Sequence, residues 1–137
     1  MNARCIAVGL GLVAAAASHG QQMGTEAWWA ATNAEGVQQV HVYCGTDFLD
    51  PREIVVRQNT PVEITVRSTD NLHDHVFQIP QLPSLPALPI NASANALRFV
   101  PVVRGSFTMI CRPTAGGDST PGAAKKQGRL NVVAAVP

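Results

Sequence analysis

From Val37 onward the apolar residues recur at every second position, in runs too short for long helices. Val62, Ile64 and Val66 alternate with Glu63, Thr65 and Arg67, and Val40, Val42 and Cys44 share one side in the same way. Alternation of this kind puts one set of side chains on each face of a strand, so that one face can be buried. Turn signals cut the runs at Asp50-Pro51, Asn59-Thr60-Pro61, Ser68 to Asn71 and Arg104-Gly105. Further strands are expected at Glu53 to Arg57, from His75 toward Pro80, at Leu97 to Val100, at Ser106 to Cys111 and at Arg129 to Val136. About seven short strands separated by turns predict an all-β fold, a Greek-key β-sandwich.

Other stretches read as connections. Pro83, Pro86 and Pro89, with Pro80 at the entrance, make Gln81 to Asn95 an extended segment, since proline cannot donate to a sheet ladder. Arg112 to Gln127, rich in Gly, Pro, Thr and Ala, is expected to be a long loop. The chain begins with a short positive stretch and an apolar core from Cys5 to Ala17, followed by small residues. That is the pattern of an export signal, and the run is shorter than the roughly 20 residues a spanning helix needs. The expected organisation is a signal peptide over 1–19, a linker over 20–36 containing Trp28-Trp29, and one domain over 37–137. No transmembrane span is expected in the mature chain, and the expected location is the periplasm.

The sequence has 137 residues, with ten Lys and Arg against nine Asp and Glu. That length accommodates a single domain with a real core. So small a net charge argues against nucleic acid or an anionic membrane surface as the main partner, since both require a basic excess. No metal-hydrolase His-Glu spacing, nucleophile elbow or phosphate-binding glycine loop is present, so no enzymatic activity is expected.

The chemistry-bearing residues concentrate elsewhere. His73 and His75 stand two residues apart at the start of an apolar run, and Cys111 ends another. Residues i and i+2 of a strand face the same side. Two imidazoles and a thiolate form the equatorial donor set of a copper electron-transfer site. Met109 is a candidate axial ligand, but its place beside Phe107 favours core packing. Cys44 leaves two alternatives open: a disulfide with Cys111, or a second thiolate at the site. His41 lies off the Cys44 face, Asp74 is expected to be solvated, and Asp118 is a possible oxygen ligand that nothing singles out from a solvated loop residue.

The order of these signals resembles the cupredoxins, especially the periplasmic copper domain of cytochrome c oxidase subunit II and its small soluble relatives. The resemblance is carried by Phe48-Leu49-Asp50-Pro51-Arg52-Glu53-Ile54-Val55-Val56, by Asp70 to Pro80, by Phe99-Val100-Pro101 leading to Gly105-Ser106-Phe107-Thr108-Met109-Ile110-Cys111, and by Gly128-Arg129-Leu130-Asn131-Val132. It implies that His75 and Cys111 occupy ligand positions. It also implies a second His, and often a Met, just after the cysteine, and Arg112 to Gln127 supplies neither. His73 is the candidate substitute, which makes His73, His75 and Cys111 the expected metal ligands.

The expected function is therefore an exported copper-binding protein, holding one copper for electron transfer or copper carriage. The alternative is a metal-free accessory or assembly subunit of a membrane respiratory complex, with a Cys44–Cys111 disulfide and contacts through Trp28-Trp29 and the proline-rich segment.

Overall fold

The computed structural model describes residues 26–69, 75–90, 95–114 and 126–136. The alternating runs form strands, numbered here in chain order: β1 (Trp28–Trp29), β2 (Ala31–Thr32), β3 (Gln38–Cys44), β4 (Leu49–Asp50), β5 (Glu53–Arg57), β6 (Val62–Ser68), β7 (His75–Gln78), β8 (Leu88–Ile90), β9 (Asn95–Phe99), β10 (Gly105–Pro113) and β11 (Gln127–Val133). They build two mixed sheets packed as a sandwich. One runs in the order β1-β5-β11-β10-β7-β8, and the other runs β2-β3-β6-β9 with β4 beside β3. The pairs β1·β5, β5·β11 and β3·β6 are parallel, and the remaining registered pairs are antiparallel.

The alternation predicts the core well. On β3, Gln38, Val40, Val42 and Cys44 point inward while Gln39, His41 and Tyr43 are exposed. Val62, Ile64 and Val66 do the same on β6. They meet Ile54, Val56, Phe77, Met109 and Leu130 from the facing sheet. Fully burying an aliphatic side chain of this kind contributes about 1.5–3 kcal/mol.

Three features depart from the sequence expectation. Strands are more numerous than expected, because several are pairs of residues that only tertiary pairing could reveal. Part of the expected linker belongs to the sandwich: Trp28–Trp29 pairs with Ile54 and Val55, and Ala31–Thr32 pairs with Gln39 and Gln38. The proline-rich connection contains β8, an edge strand on β7, where Pro89 needs no ladder partner on its outer side. The expected signal peptide over 1–19 lies outside the described residues.

Two local devices hold the frame. The side chain of Gln38, 3% exposed, accepts from Arg57 N at 2.6 Å and donates to Arg57 O at 3.0 Å and Thr60 O at 3.2 Å. It thereby satisfies the backbone of the β5–β6 turn, in which Asn59 takes a positive φ of 61°. At the other end of β5, Arg129 N donates to Arg52 O at 2.8 Å. A Cβ on the neighbouring Gly128 would sit 2.5 Å from that carbonyl oxygen, so β11 approaches the turn as closely as it does only with glycine there.

Candidate functional site

The site is built at one end of the sandwich, where β3 ends, β7 begins and β10 nears its end. β7 buries Phe77 at the centre of the core. His75, two residues earlier, projects toward the same inner side at the strand's edge. In register, Phe77 opposes Cys111 and His75 opposes Pro113. His75 is thus the diagonal neighbour of Cys111 on the inner face, a relation that corresponds to about 7–8 Å between such residues.

Cys111 is 2% exposed and Cys44 is fully buried. Their sulfurs are joined in a disulfide between β10 of one sheet and β3 of the other, with the Cα atoms 6.5 Å apart. That separation lies in the range a disulfide spans without moving the backbone. Of the two alternatives for Cys44, the structure contains the disulfide.

Lys126 was not anticipated as part of the site. It directly precedes β11, whose register with β10 ends at Ile110↔Gln127. It is 4% exposed, and its Nζ lies 3.1 Å from His75 Nε2. An ammonium has donors only, so it donates to Nε2, and the neutral imidazole then carries its proton on Nδ1. Burial pushes the Lys126 ammonium below the ordinary lysine value, and the charge of Asp47, on the exposed β3–β4 turn, acts in the opposite direction. A signal for Lys126 existed: extending the buried positions Val132 and Leu130 backward in steps of two lands on Gly128 and then Lys126. Its place in a Gly- and Ala-rich stretch concealed it.

The expected ligands are therefore divided. His75 and Cys111 do share one inner face, whereas His73, Asp74 and Asp118 lie outside the described residues. Met109 is fully buried in the core, as its packing role requires, and His41 is exposed. Among the described residues, no group of three His, Cys, Asp or Glu side chains is assembled to hold a metal. The donors present do not fit a resident cupredoxin copper in the disulfide state. The expected thiolate of Cys111 is consumed in a covalent bond, and the lone pair of His75 Nε2 already receives a proton donor. Of the expected ligand set of His73, His75 and Cys111, His73 lies outside the described residues, and the Cys111 sulfur is bonded to Cys44.

No family model matches the sequence, and no curated protein matches it. Solved structures do match, and they show the fold to be cupredoxin-like. The metal-binding domain of the Cu(I)-exporting P-type ATPase CopA of Streptococcus pneumoniae D39, determined with Cu(I), superposes with a TM-score of 0.60 at 20% identity, over 80% of this chain and 98% of that one. A chain of a heme-copper terminal oxidase dimer matches with a TM-score of 0.57 at 18% identity, over 72% of this chain and 65% of that one. The periplasmic domain of cytochrome oxidase subunit II (CoxB) of Bradyrhizobium japonicum matches with a TM-score of 0.52 at 18% identity, over 70% of this chain and 83% of that one. Among the described residues no helix is long and apolar enough to cross a membrane.

Proposed function

We propose that this protein works outside the cytoplasm as a metal-free, cupredoxin-like module that docks onto a membrane respiratory complex, and not as an electron carrier with a resident copper. The observation that carries this reading is the Cys44–Cys111 disulfide. It removes the thiolate from the position where the resemblance places the copper cysteine. Lys126 supports the same reading, because its ammonium stands against the imidazole that a copper would use. The reading describes a binding module without turnover.

The disulfide supports this compartment. A disulfide persists in oxidising surroundings and is reduced in the cytosol, in keeping with the export signal expected over 1–19. A partner surface is available on the edge strand β1, where Trp28 and Trp29 are 60% and 54% exposed. The Arg57 guanidinium lies 5.2 Å from the centre of the Trp29 ring, a cation–π contact that holds this indole in place. Aromatic and Arg side chains are enriched in interfaces. The likeness to an oxidase subunit domain supports a respiratory complex as the class of partner.

Two measurements test the proposal. Protein isolated from the cell envelope without reductant is expected to weigh less than its reduced form by two hydrogen atoms, and to develop no thiolate-to-copper band when Cu(II) is added. Cross-linking in intact membranes is expected to join the wild type to a terminal oxidase, and replacing Trp28 and Trp29 by Ala is expected to abolish that product. A visible copper band in the unreduced protein overturns the metal-free reading. Cross-linking that is indifferent to both tryptophans overturns the docking surface.

A further inference from the structure

We propose that the groove beside Trp28 receives a basic side chain, lysine or arginine, from the docked partner. The proposal rests on the proposed function for the existence of a partner and adds the chemistry by which that partner is held.

The groove forms where two connections cross between the sheets on one flank. The chain leaves the first sheet after β1 and enters the second at β2, with Ala30 N donating to Val55 O at 3.1 Å on the way. It returns from the second sheet to the first between β4 and β5. β2 pairs with Gln38 and Gln39 of β3, and β4 pairs with Tyr43 and Cys44. Among the described residues, no strand registers with Val40, His41 and Val42 on that edge. The interrupted edge opens into a groove of about 460 Å³. Trp28 and Ala31 frame one side, Asp50 and Pro51 the other, and Val40 and Tyr43 lie between. β2 and β4 already occupy the edge above and below, so the gap admits a side chain and not an added strand.

The lining selects the charge of that side chain. Trp28 registers with the buried Ile54 and Trp29 with Val55, so the two indoles leave β1 on opposite sides. Trp29 already holds the Arg57 guanidinium. Trp28 is 60% exposed, and among the described residues no cation of this chain stands over its ring. Tyr43, 40% exposed, is directly opposite Asp50 in the β3–β4 register, which sets a second aromatic ring beside a carboxylate. Asp50 is exposed and has no ion pair among the described residues. Two ring faces and a carboxylate attract a cation. Ala31, Val40 and Pro51 supply apolar wall for a methylene stem, and a basic side chain carries both parts. Arg67 flanks Tyr43 from β6, on the side away from Asp50, and is exposed and screened by water.

The test titrates the full-length mature protein with the N-acetyl N-methylamides of lysine and of arginine, and with that of norleucine as the uncharged control. Two-dimensional ¹H–¹⁵N NMR is expected to show saturable shifts at the Trp28 indole N–H and the His41 amide, with the Trp29 indole unmoved. The norleucine amide is expected to bind at least about threefold more weakly. Trp28→Ala and Asp50→Asn are each expected to weaken the lysine amide by about threefold or more, and Asp50→Glu to retain it. Amide dispersion must show each variant folded. In intact membranes, Asp50→Lys is expected to lower the cross-linked oxidase product by about threefold or more. Equal binding of the norleucine and lysine amides, or no binding of either, overturns the preference for a basic side chain. Amides that bind while Asp50→Lys leaves the cross-linked product undiminished make the groove a site for a free small cation and overturn the partner contact. A product that needs the two tryptophans but ignores every Asp50 variant overturns this inference and leaves the docking surface standing. A wild type that binds the lysine amide but joins no oxidase overturns the proposed partner and leaves the groove's preference standing.

Discussion

Lys126 Nζ and His75 Nε2 meet at 3.1 Å, and the two side chains reach that contact from opposite sides of the strand that carries Cys111. β11 lies on one flank of β10 and β7 on the other, so ammonium and imidazole close over the inner face beside the disulfide. The contact predicts a single tautomer. In the wild type the imidazole proton sits on Nδ1, and Lys126→Met is expected to release His75 toward the Nε2–H form. Long-range ¹H–¹⁵N correlation of the ring nitrogens reads the change. The same substitution removes a buried ammonium and keeps the side chain's length, so the variant is expected to be at least as stable as the wild type in urea.

The disulfide closes a loop with a sequence separation of 67 residues. In the chain-entropy account, a loop of that length stabilises the folded state by about 4 kcal/mol. Cys44→Ala combined with Cys111→Ala is expected to lose stability on that order, visible as a lower urea midpoint. A change well under 1 kcal/mol would mean that the unfolded chain is already constrained.

Gln38 is expected to matter more than its surface-like sequence context suggests. Its amide makes three hydrogen bonds to the backbone of the 57–60 turn. Gln38→Leu leaves those groups buried and unmatched, at a cost of about 2 kcal/mol. Chemical denaturation measures the loss, and hydrogen exchange at Arg57 locates it.

Gly128→Ala introduces a methyl group 2.5 Å from Arg52 O and 3.1 Å from Met109 Cε. The first neighbour is backbone and cannot rotate away. The expected outcome is destabilisation by about 1–3 kcal/mol from overpacking, with the Arg129 N to Arg52 O hydrogen bond weakened. Combining it with Met109→Leu is expected to recover little, because the carbonyl is the closer obstacle.

Glu63 contributes a small acid sensitivity. Its carboxyl is held below the ordinary carboxylate value, first by the hydrogen bond from Gln39 and then by that from Arg98. A lowered folded-state pKa contributes stability that is present above the ordinary value and lost as pH falls through the lowered one. Arg98 is largely exposed, so the pair contributes less than about 1 kcal/mol. Glu63→Gln is expected to flatten the acid limb of the melting temperature against pH and to leave neutral stability almost unchanged.

The sequence by itself determined the class of fold. Strict alternation at Val40, Val42 and Cys44 and at Val62, Ile64 and Val66 reports burial on one face directly, because a strand has a side-chain period of two. The same logic set Met109 on the face of Phe107, and the resemblance, not the alternation, put His75 and Cys111 at ligand positions. Only the tertiary structure decided what those two residues meet. Whether Cys44 bonds Cys111 depends on two sheets packing at a particular offset, and local pattern carries no information about the facing layer. Lys126 entered for the same reason: it immediately precedes β11, and its contact with His75 spans β10, which lies between β11 and β7. Alternation therefore predicts which side chains point inward, and the pairing of strands and sheets decides which of them touch, and so whether this end of the sandwich holds a metal or a disulfide and a lysine.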